Sequence, residues 1–207
     1  KLTYSSQLRS FYPSGGSVAG GTILYLQGDG LSNRLGDISV IIGGIRCAVF
    51  SANVSNVACV TGSLADTSAT ESKSIVMKVR GVTVTCSASP CTYVYDNDRT
   101  PKLTKLETVK IENNKWYLHV RGSGFALPST ANSVMLGGVT KCTPRGEDFD
   151  GEPDQSHKIM CIFDPPLSGT QILTLSNDWG HAIGVPSLPT IRGVDLAVST
   201  IAPPNVS

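Results

Sequence analysis

Short runs of alternating apolar and polar residues, separated by turns, extend along the chain. The run at residues 22–26 is rich in β-branched and aromatic side chains and ends at residues 28–30, Gly-Asp-Gly, where glycine permits a sharp turn. Residues 74–79, 116–120 and 172–175 show the same strand-like character. We find no long segment with an apolar period of about 3.6 residues, so the pattern predicts an all-β fold with very little helix.

Two copies of one sequence unit make up most of the chain. Residues 26–31 (LQGDGL) return as residues 120–125 (VRGSGF), and residues 40–44 (VIIGG) return as residues 134–138 (VMLGG), at the same offset of 120 − 26 = 94. A repeat of about 95 residues has the size of a small immunoglobulin-like β-sandwich. The repeat therefore predicts two tandem sandwiches of the immunoglobulin type.

The polar segment 97–101, which ends in proline, divides the copies. We predict a first sandwich at residues 1–96, a short linker at 97–101 and a second sandwich at 102–193. The remaining residues, 194–207, begin with a strand-like alternation that has no counterpart inside either copy. This tail has three interpretations: the first strand of a further repeat, a donor strand for the sheet edge of a neighbouring molecule, or a frayed end. In the second case Val194, Leu196 and Val198 would form an assembly strand.

Six cysteines are placed so that three local pairs account for all of them. Two of the pairs each join neighbouring predicted strands of a hairpin, one hairpin in each copy, and the third pair encloses a short loop. The predicted disulfides are Cys47 with Cys59, Cys86 with Cys91, and Cys142 with Cys161. Zinc binding is a poor alternative because no Cys-x-x-Cys pair occurs. Buried free thiols in a reducing compartment are the second alternative.

The overall composition narrows the function classes. Hydrophobic residues make up 40% of the chain and charged residues 16%, which predicts a folded protein. The net charge of +1 offers no field for nucleic acid, and no apolar run is long enough for membrane insertion in this segment. HExxH and GxSxG motifs are absent, and the Gly-x-Gly turns lack the third glycine of a dinucleotide site. We therefore predict no enzyme activity and no cofactor apart from covalent glycans.

The acidic segment at residues 147–154 is the densest charge cluster. Calcium prefers several oxygen ligands, which makes Asp148, Asp150 and Asp154 candidates, but the spacing does not fit an EF-hand loop. A solvated insertion is the simpler interpretation, and we predict no metal site. The three histidines, at 119, 157 and 181, are isolated from one another in the sequence.

Two Asn-Val-Ser triplets are potential N-glycosylation acceptors, at Asn53 and Asn205. Asn53 falls in the predicted hairpin turn between Cys47 and Cys59, where a glycan would be exposed. Four aromatic residues have two interpretations, contact with a carbohydrate or protein, or filling of a sandwich core: Tyr93, Tyr95, Trp116 and Trp179.

Several of these motifs together resemble the IPT/TIG domain, an immunoglobulin-like sandwich of plexins, fibrocystin-like ectodomains and some transcription factors. In the first copy the matching positions are residues 12–17, 20–22, 28–31 and 40–44, with Cys47 and Cys59 fitting the extracellular branch. Residues 79–81, followed by Cys86, residues 91–93 and Tyr95, resemble the closing segment of fibrocystin-like copies. In the second copy they are residues 100–101, 122–125 and 137–138 with Cys142. The resemblance covers about residues 6–185.

The second copy departs from this pattern. It lacks the proline–glycine opening and the closing cysteine pair, and it inserts residues 145–156 between its cysteines. These differences affect its loops more than its expected fold. The near-neutral charge and the paired cysteines argue against the DNA-binding branch of the family.

The resemblance implies an extracellular or cell-surface location and a non-catalytic structural or adhesive glycoprotein. Its partners would be other protein chains, through a cell-surface partner or through self-association of the assembly strand into a head-to-tail filament. The alternative is a ligand-binding segment of a receptor ectodomain, as in plexin or fibrocystin stalks. A third class is an accessory module of a carbohydrate-active enzyme.

Overall fold

Two curled β-sheets, one in each half of the chain, form the computed structural model, which describes residues 5–112, 115–138, 140–145, 157–164, 171–184, 190–191 and 194–198. The predicted all-β class with tandem immunoglobulin-like sandwiches is confirmed. The chain divides between Asn97 and Asp98, inside the predicted linker.

The described residues of the first unit form ten strands and one turn of 3-10 helix, at Leu35–Asp37. The strands are β1 (Gln7–Tyr12), β2 (Gly15–Ser17), β3 (Ile23–Asp29), β4 (Ile38–Ile42), β5 (Ile45–Ala52), β6 (Asn56–Val60), β7 (Glu71–Val79), β8 (Val82–Thr83), β9 (Thr85–Cys86) and β10 (Thr92–Asp96). They are hydrogen-bonded in the order β2-β10-β7-β4-β5-β6-β3-β1-β9, and β8 pairs with β7.

Strand β5 joins the two layers of this sandwich. Its first residues pair with β4, where Cys47 lies opposite Val40. After Cys47 the strand pairs with β6 instead, with a bulge between Val49 and Ser51. A bulge bends a strand and increases its twist, so the sheet folds back on itself. The core lies between the layers and is built from the inward residues of alternating strands, among them Leu24, Val40 and Met77.

The second unit repeats this order with strands of its own. They are β11 (Lys102–Glu112), β12 (Lys115–Ser123), β13 (Ser133–Leu136), β14 (Thr140–Pro144), β15 (Lys158–Phe163), β16 (Gln171–Asn177), β17 (Gly180–His181), β18 (Thr190–Ile191) and β19 (Val194–Val198), with a 3-10 turn at Ser129–Ala131. The sequence of neighbours is β11-β12-β15-β14-β13-β16-β19-β18, and β17 pairs with β16. Its core contains Leu118, Val134 and Leu173.

The predicted tail strand belongs to the second unit. Strand β19 pairs in parallel with β16, where Leu196 lies opposite Gln171 and Val198 opposite Leu173, and β18 pairs with its other end. Of the tail predicted from residue 194, the described residues 194–198 are thus paired within the second unit. The reason is the open edge of β16: the matching edge in the first unit, on β7, is filled by β10. An edge strand within the same chain reaches such a site more readily than a neighbouring molecule does.

The repeated glycine motif has two different physical causes. Gly30 and its counterpart Gly124 have positive φ values of 65° and 69°, as a sharp turn requires. Gly28 and Gly122 do not. A Cβ at Gly28 would overlap the carbonyl oxygen of Gln7 on the neighbouring strand, and one at Gly122 would overlap that of Lys102. The motif therefore allows β1 and β11 to approach the backbone of β3 and β12 closely.

Two tyrosines of β10 lie in the core rather than on the surface. Tyr93 and Tyr95 are fully buried, and their rings meet edge to face with centroids 5.0 Å apart. Among the described residues, the Tyr95 hydroxyl has no hydrogen-bond partner. Burial, and to a lesser degree the neighbouring Tyr93, raises the pKa of Tyr95 above its usual value. These tyrosines therefore follow the core-filling interpretation.

We expect Gly28→Ala to destabilise the first unit by about 2 kcal/mol or more, which lowers its Tm by about 10 °C. The added methyl group has to displace the backbone of β1. Gly36→Ala is the control, because a Cβ there meets nothing within 4 Å and the residue is exposed. Thermal unfolding followed by circular dichroism would measure both, and equal Tm values for the two variants would contradict the close approach.

We expect Tyr95→Phe to stabilise the first unit by about 1 kcal/mol at neutral pH, because it removes a buried hydroxyl that lacks a partner. Above the ordinary tyrosine pKa of 10.0 the unfolded chain loses a proton that folded Tyr95 keeps, so wild-type stability falls with rising pH. The variant should fall less steeply. Denaturant titrations from neutral pH to above pH 10 would measure these stabilities, with exposed Tyr12→Phe as the control. A Tyr95→Phe variant that is less stable than the wild type at neutral pH would contradict this account.

Candidate functional site

The alternation of β3 sends its side chains to two different surfaces. Leu24 and Leu26 point into the core, whereas Ile23, Tyr25 and Gln27 point outward. The neighbouring strands extend this outer face, since Tyr25 lies opposite Tyr12 of β1 and opposite Ala58 of β6. Tyr12 is 73% exposed and Tyr25 55% exposed. Two large aromatic side chains therefore lie side by side on the solvent face of the first unit.

A groove of about 620 Å³ follows this face. We call it the outer-face groove and define it by side chains of β1, β3, β5, β6 and the β5–β6 turn: Ser10, Tyr12, Tyr25, Gln27, Ser51, Asn53, Asn56 and Ala58. None of these side chains is charged. The groove thus offers aromatic surface, hydroxyl groups and amides, which suit a neutral ligand with both apolar and hydrogen-bonding parts.

Hydrogen bonds hold the turn at one end of the groove. The Oδ1 atom of exposed Asn53 accepts from the backbone amides of Ser55 at 2.9 Å and Asn56 at 2.8 Å. The backbone amide of Asn53 donates to the carbonyl of Asn56 at 2.8 Å. This Asx turn fixes the orientation of the Asn53 side chain and uses its oxygen, not its Nδ2 atom. The sequence predicted Asn53 in an exposed hairpin turn, and the structure places it there.

The same face of the second unit is covered. Strand β12 corresponds to β3, so that Tyr117 and His119 take the positions of Ile23 and Tyr25. Tyr117 and His119 are only 9% exposed, and Met160, which lies opposite His119, is fully buried. The two units therefore share a fold but differ in this surface, which is open in the first unit.

Disulfides join the three cysteine pairs predicted from the sequence. The Cα atoms lie 5.5 Å apart for Cys47 and Cys59, which link β5 to β6. They lie 5.4 Å apart for the corresponding pair in β14 and β15, Cys142 and Cys161. Cys86 and Cys91 close the loop between β9 and β10.

The remaining predicted site residues are not brought together. Asp148, Asp150, Asp154 and Asn205 lie outside the described residues. In the part of the chain that the structure describes, no three His, Cys, Asp or Glu side chains are grouped closely enough to hold a metal ion. Burial lowers the pKa of His181.

The two tryptophans have different surroundings. Trp116 is partly buried and packs against Phe163, with ring centroids 5.9 Å apart. Trp179 remains 36% exposed and lies beneath the guanidinium group of Arg99, which is 4.3 Å from the ring centroid. Trp116 thus contributes to packing, and Trp179 to a surface contact within the second unit.

Within the described ranges, no helix is long and apolar enough to span a bilayer.

Residues 6–95 match the family model of the IPT/TIG domain. Mouse (Mus musculus) fibrocystin is 30% identical over 129 residues, which cover 61% of this chain and 3% of fibrocystin. A solved structure of the full plexin A4 extracellular region, domains 1 to 10, is 15% identical, with a TM-score of 0.50 over 91% of this chain and 16% of that chain. A second plexin A4 structure, domains 1 to 8, has a TM-score of 0.46 at 16% identity, over 86% of this chain and 17% of that one.

Residues 6–95, within the first unit, thus match the IPT/TIG family model, and the resemblance predicted from the sequence is confirmed. The chain spans a small part of the length of each of these relatives. The likeness to plexin A4 at this level of identity supports the sandwich fold and no more.

The outer-face groove was missed by the sequence analysis. A signal for it was present, because residues 23–26, Ile-Leu-Tyr-Leu, place large apolar side chains on both phases of one strand. In a sandwich only one phase reaches the core, so Tyr25 had to face outward if Leu24 and Leu26 face inward. Its pairing with Tyr12 and Ala58 depends on strand register and could not be predicted.

We expect the double variant Tyr12→Thr/Tyr25→Thr to lose less than about 1 kcal/mol in the protein without glycans, because both rings are exposed and threonine suits a strand. Leu24→Ala, on the same strand but fully buried, should lose about 2–5 kcal/mol. Urea denaturation would compare them. A loss as large as that of Leu24→Ala would mean that the tyrosines serve folding rather than recognition.

Proposed function

We propose that this chain is a non-catalytic segment of the extracellular part of a longer protein. The observation that carries the proposal is the set of three disulfides, which close hairpins or loops in both sandwiches. Such bonds persist in oxidising compartments and are rare in the cytosol. The match to the IPT/TIG family and the small fraction of fibrocystin and plexin A4 that is covered support a position within a large ectodomain.

In this proposal the segment is a receptor-type stalk whose partners are other protein chains, either at the cell surface or in the secreted state. Asn53 and Asn205 are its proposed glycan acceptors, so the segment is a glycoprotein. No resident cofactor is required, because the proposed role is spacing and recognition. Residues of the outer-face groove supply recognition chemistry without a catalytic arrangement.

The structural or adhesive alternative depends on head-to-tail assembly through Val194, Leu196 and Val198. The pairing of β19 does not favour it, because β16 and β18 already take up hydrogen-bonding positions of this strand. A donor role would require β19 to leave its own unit before it joined another molecule. The receptor-type interpretation needs no such rearrangement, and we prefer it.

Secretion from eukaryotic cells behind a heterologous signal peptide tests the proposal. We expect folded protein in the medium. A thiol-alkylating reagent should label none of its cysteines before reduction and all six after reduction. The same chain retained in the reducing cytosol is the control, and it should unfold at a lower temperature because it lacks the disulfides. Folded, secreted protein with reactive thiols would refute an extracellular role.

A further inference from the structure

Asn53 is both the proposed glycan acceptor of the first unit and a wall of the outer-face groove. We propose that the N-linked glycan of Asn53 folds back onto its own domain and that its first sugar rings lie in this groove, against Tyr25 and Tyr12. The inference rests on the proposed glycosylation of Asn53. It adds a binding site to that modification, with the saccharide as the occupant.

The side chain of Asn53, which anchors the glycan, has a defined orientation. Because Oδ1 of Asn53 accepts two backbone amides, the side chain is held in one orientation and Nδ2 is the atom left for the linkage. The glycosidic bond forms when Nδ2 displaces the diphosphate group from the anomeric carbon of a lipid-linked oligosaccharide and gives up one proton. The first sugar ring therefore starts from a fixed position at one end of the groove.

The aromatic rings lie within reach of this anchor. The backbone amide of Asn53 bonds to Asn56, which lies opposite Gln27 on β3, and Tyr25 is two residues further along that strand. With strands about 4.8 Å apart and a rise of about 3.4 Å per residue, Tyr25 lies roughly 10 Å from the turn. A glycan attached at the turn can span this distance without any movement of the domain.

The chemistry of the groove fits a neutral sugar. A sugar ring has faces of C–H groups and a rim of hydroxyl groups, and the tyrosine rings match the faces because an aromatic face carries negative charge density. Ser10, Gln27 and Asn56 provide hydroxyl and amide groups beside these rings, and Ser10 already contacts the Gln27 side chain at 3.3 Å. No charged side chain lines the groove to favour an ionic occupant instead.

The internal repeat gives an independent argument. In the second unit the equivalent face is buried, as Tyr117, His119 and Met160 show, and no asparagine occurs between Cys142 and Cys161. In the first unit the face is open and the corresponding turn contains an Asn-Val-Ser triplet. The acceptor is therefore found in the unit whose aromatic face lacks a cover.

The test compares the secreted chain with Ser55→Ala, which removes the acceptor triplet but leaves Asn53 and the groove unchanged. Mass spectrometry measures glycan occupancy, and nitration followed by peptide mapping measures the accessibility of Tyr12 and Tyr25. We expect several-fold slower nitration in the glycosylated protein than in Ser55→Ala. The matched control is Ser207→Ala, which removes the other Asn-Val-Ser triplet and should leave the nitration of Tyr12 and Tyr25 as it is in the unmodified sequence.

Three other outcomes would overturn the proposal. If Asn53 is occupied but Tyr12 and Tyr25 are nitrated as rapidly as in Ser55→Ala, with both rates fast, the glycan points into solvent, and the glycosylation itself would stand. If nitration of Tyr12 and Tyr25 is equally slow in the occupied protein and in Ser55→Ala, something other than the sugar covers the two rings, such as a second copy of the chain. An unoccupied Asn53 in folded, secreted protein would end both the glycosylation and the groove assignment. Secretion with complete disulfides would still support the extracellular segment.

Discussion

The two-residue alternation of β-strands is the constraint on which this protein depends. A sandwich has one core, so each strand contributes only every second side chain to it. The side chains on the outer face must be polar, be buried by another part of the protein, or bind a partner. In β3 the inward positions hold Leu24 and Leu26, and the outward position between them holds Tyr25. The apolar content of this strand therefore exceeds what the core can take. The outer-face groove is the consequence of that excess.

The fold was predictable because it follows from local signals that reinforce one another. The alternating runs, the repeated glycine blocks and the cysteine positions all indicated tandem sandwiches with local disulfides. The structural reason for Gly28 was not predictable. A side chain at this position would overlap the carbonyl oxygen of Gln7, and this contact exists only once β1 and β3 are paired. Tyr95 was equally ambiguous, since an aromatic residue near a loop serves a core or a surface according to the strand phase that tertiary packing selects.

Comparison of the two units shows how a duplicated fold diverges on its surface. The order of core strands is the same, and the disulfide between β5 and β6 has its counterpart between β14 and β15. The outer faces differ, because Tyr25 is open where His119 is buried. The last strands differ as well, with β10 antiparallel to β7 and β19 parallel to β16. Packing of the core thus leaves the outer surface free to acquire separate roles.

The central claim is that the aromatic face of the first unit holds the saccharide attached beside it. A crystal structure of the chain secreted from eukaryotic cells tests this claim most directly. The account predicts ordered electron density for sugar rings that continues from Nδ2 of Asn53 and lies over Tyr25 and Tyr12. Density that leaves Asn53 toward solvent, with both tyrosine rings uncovered, would contradict it.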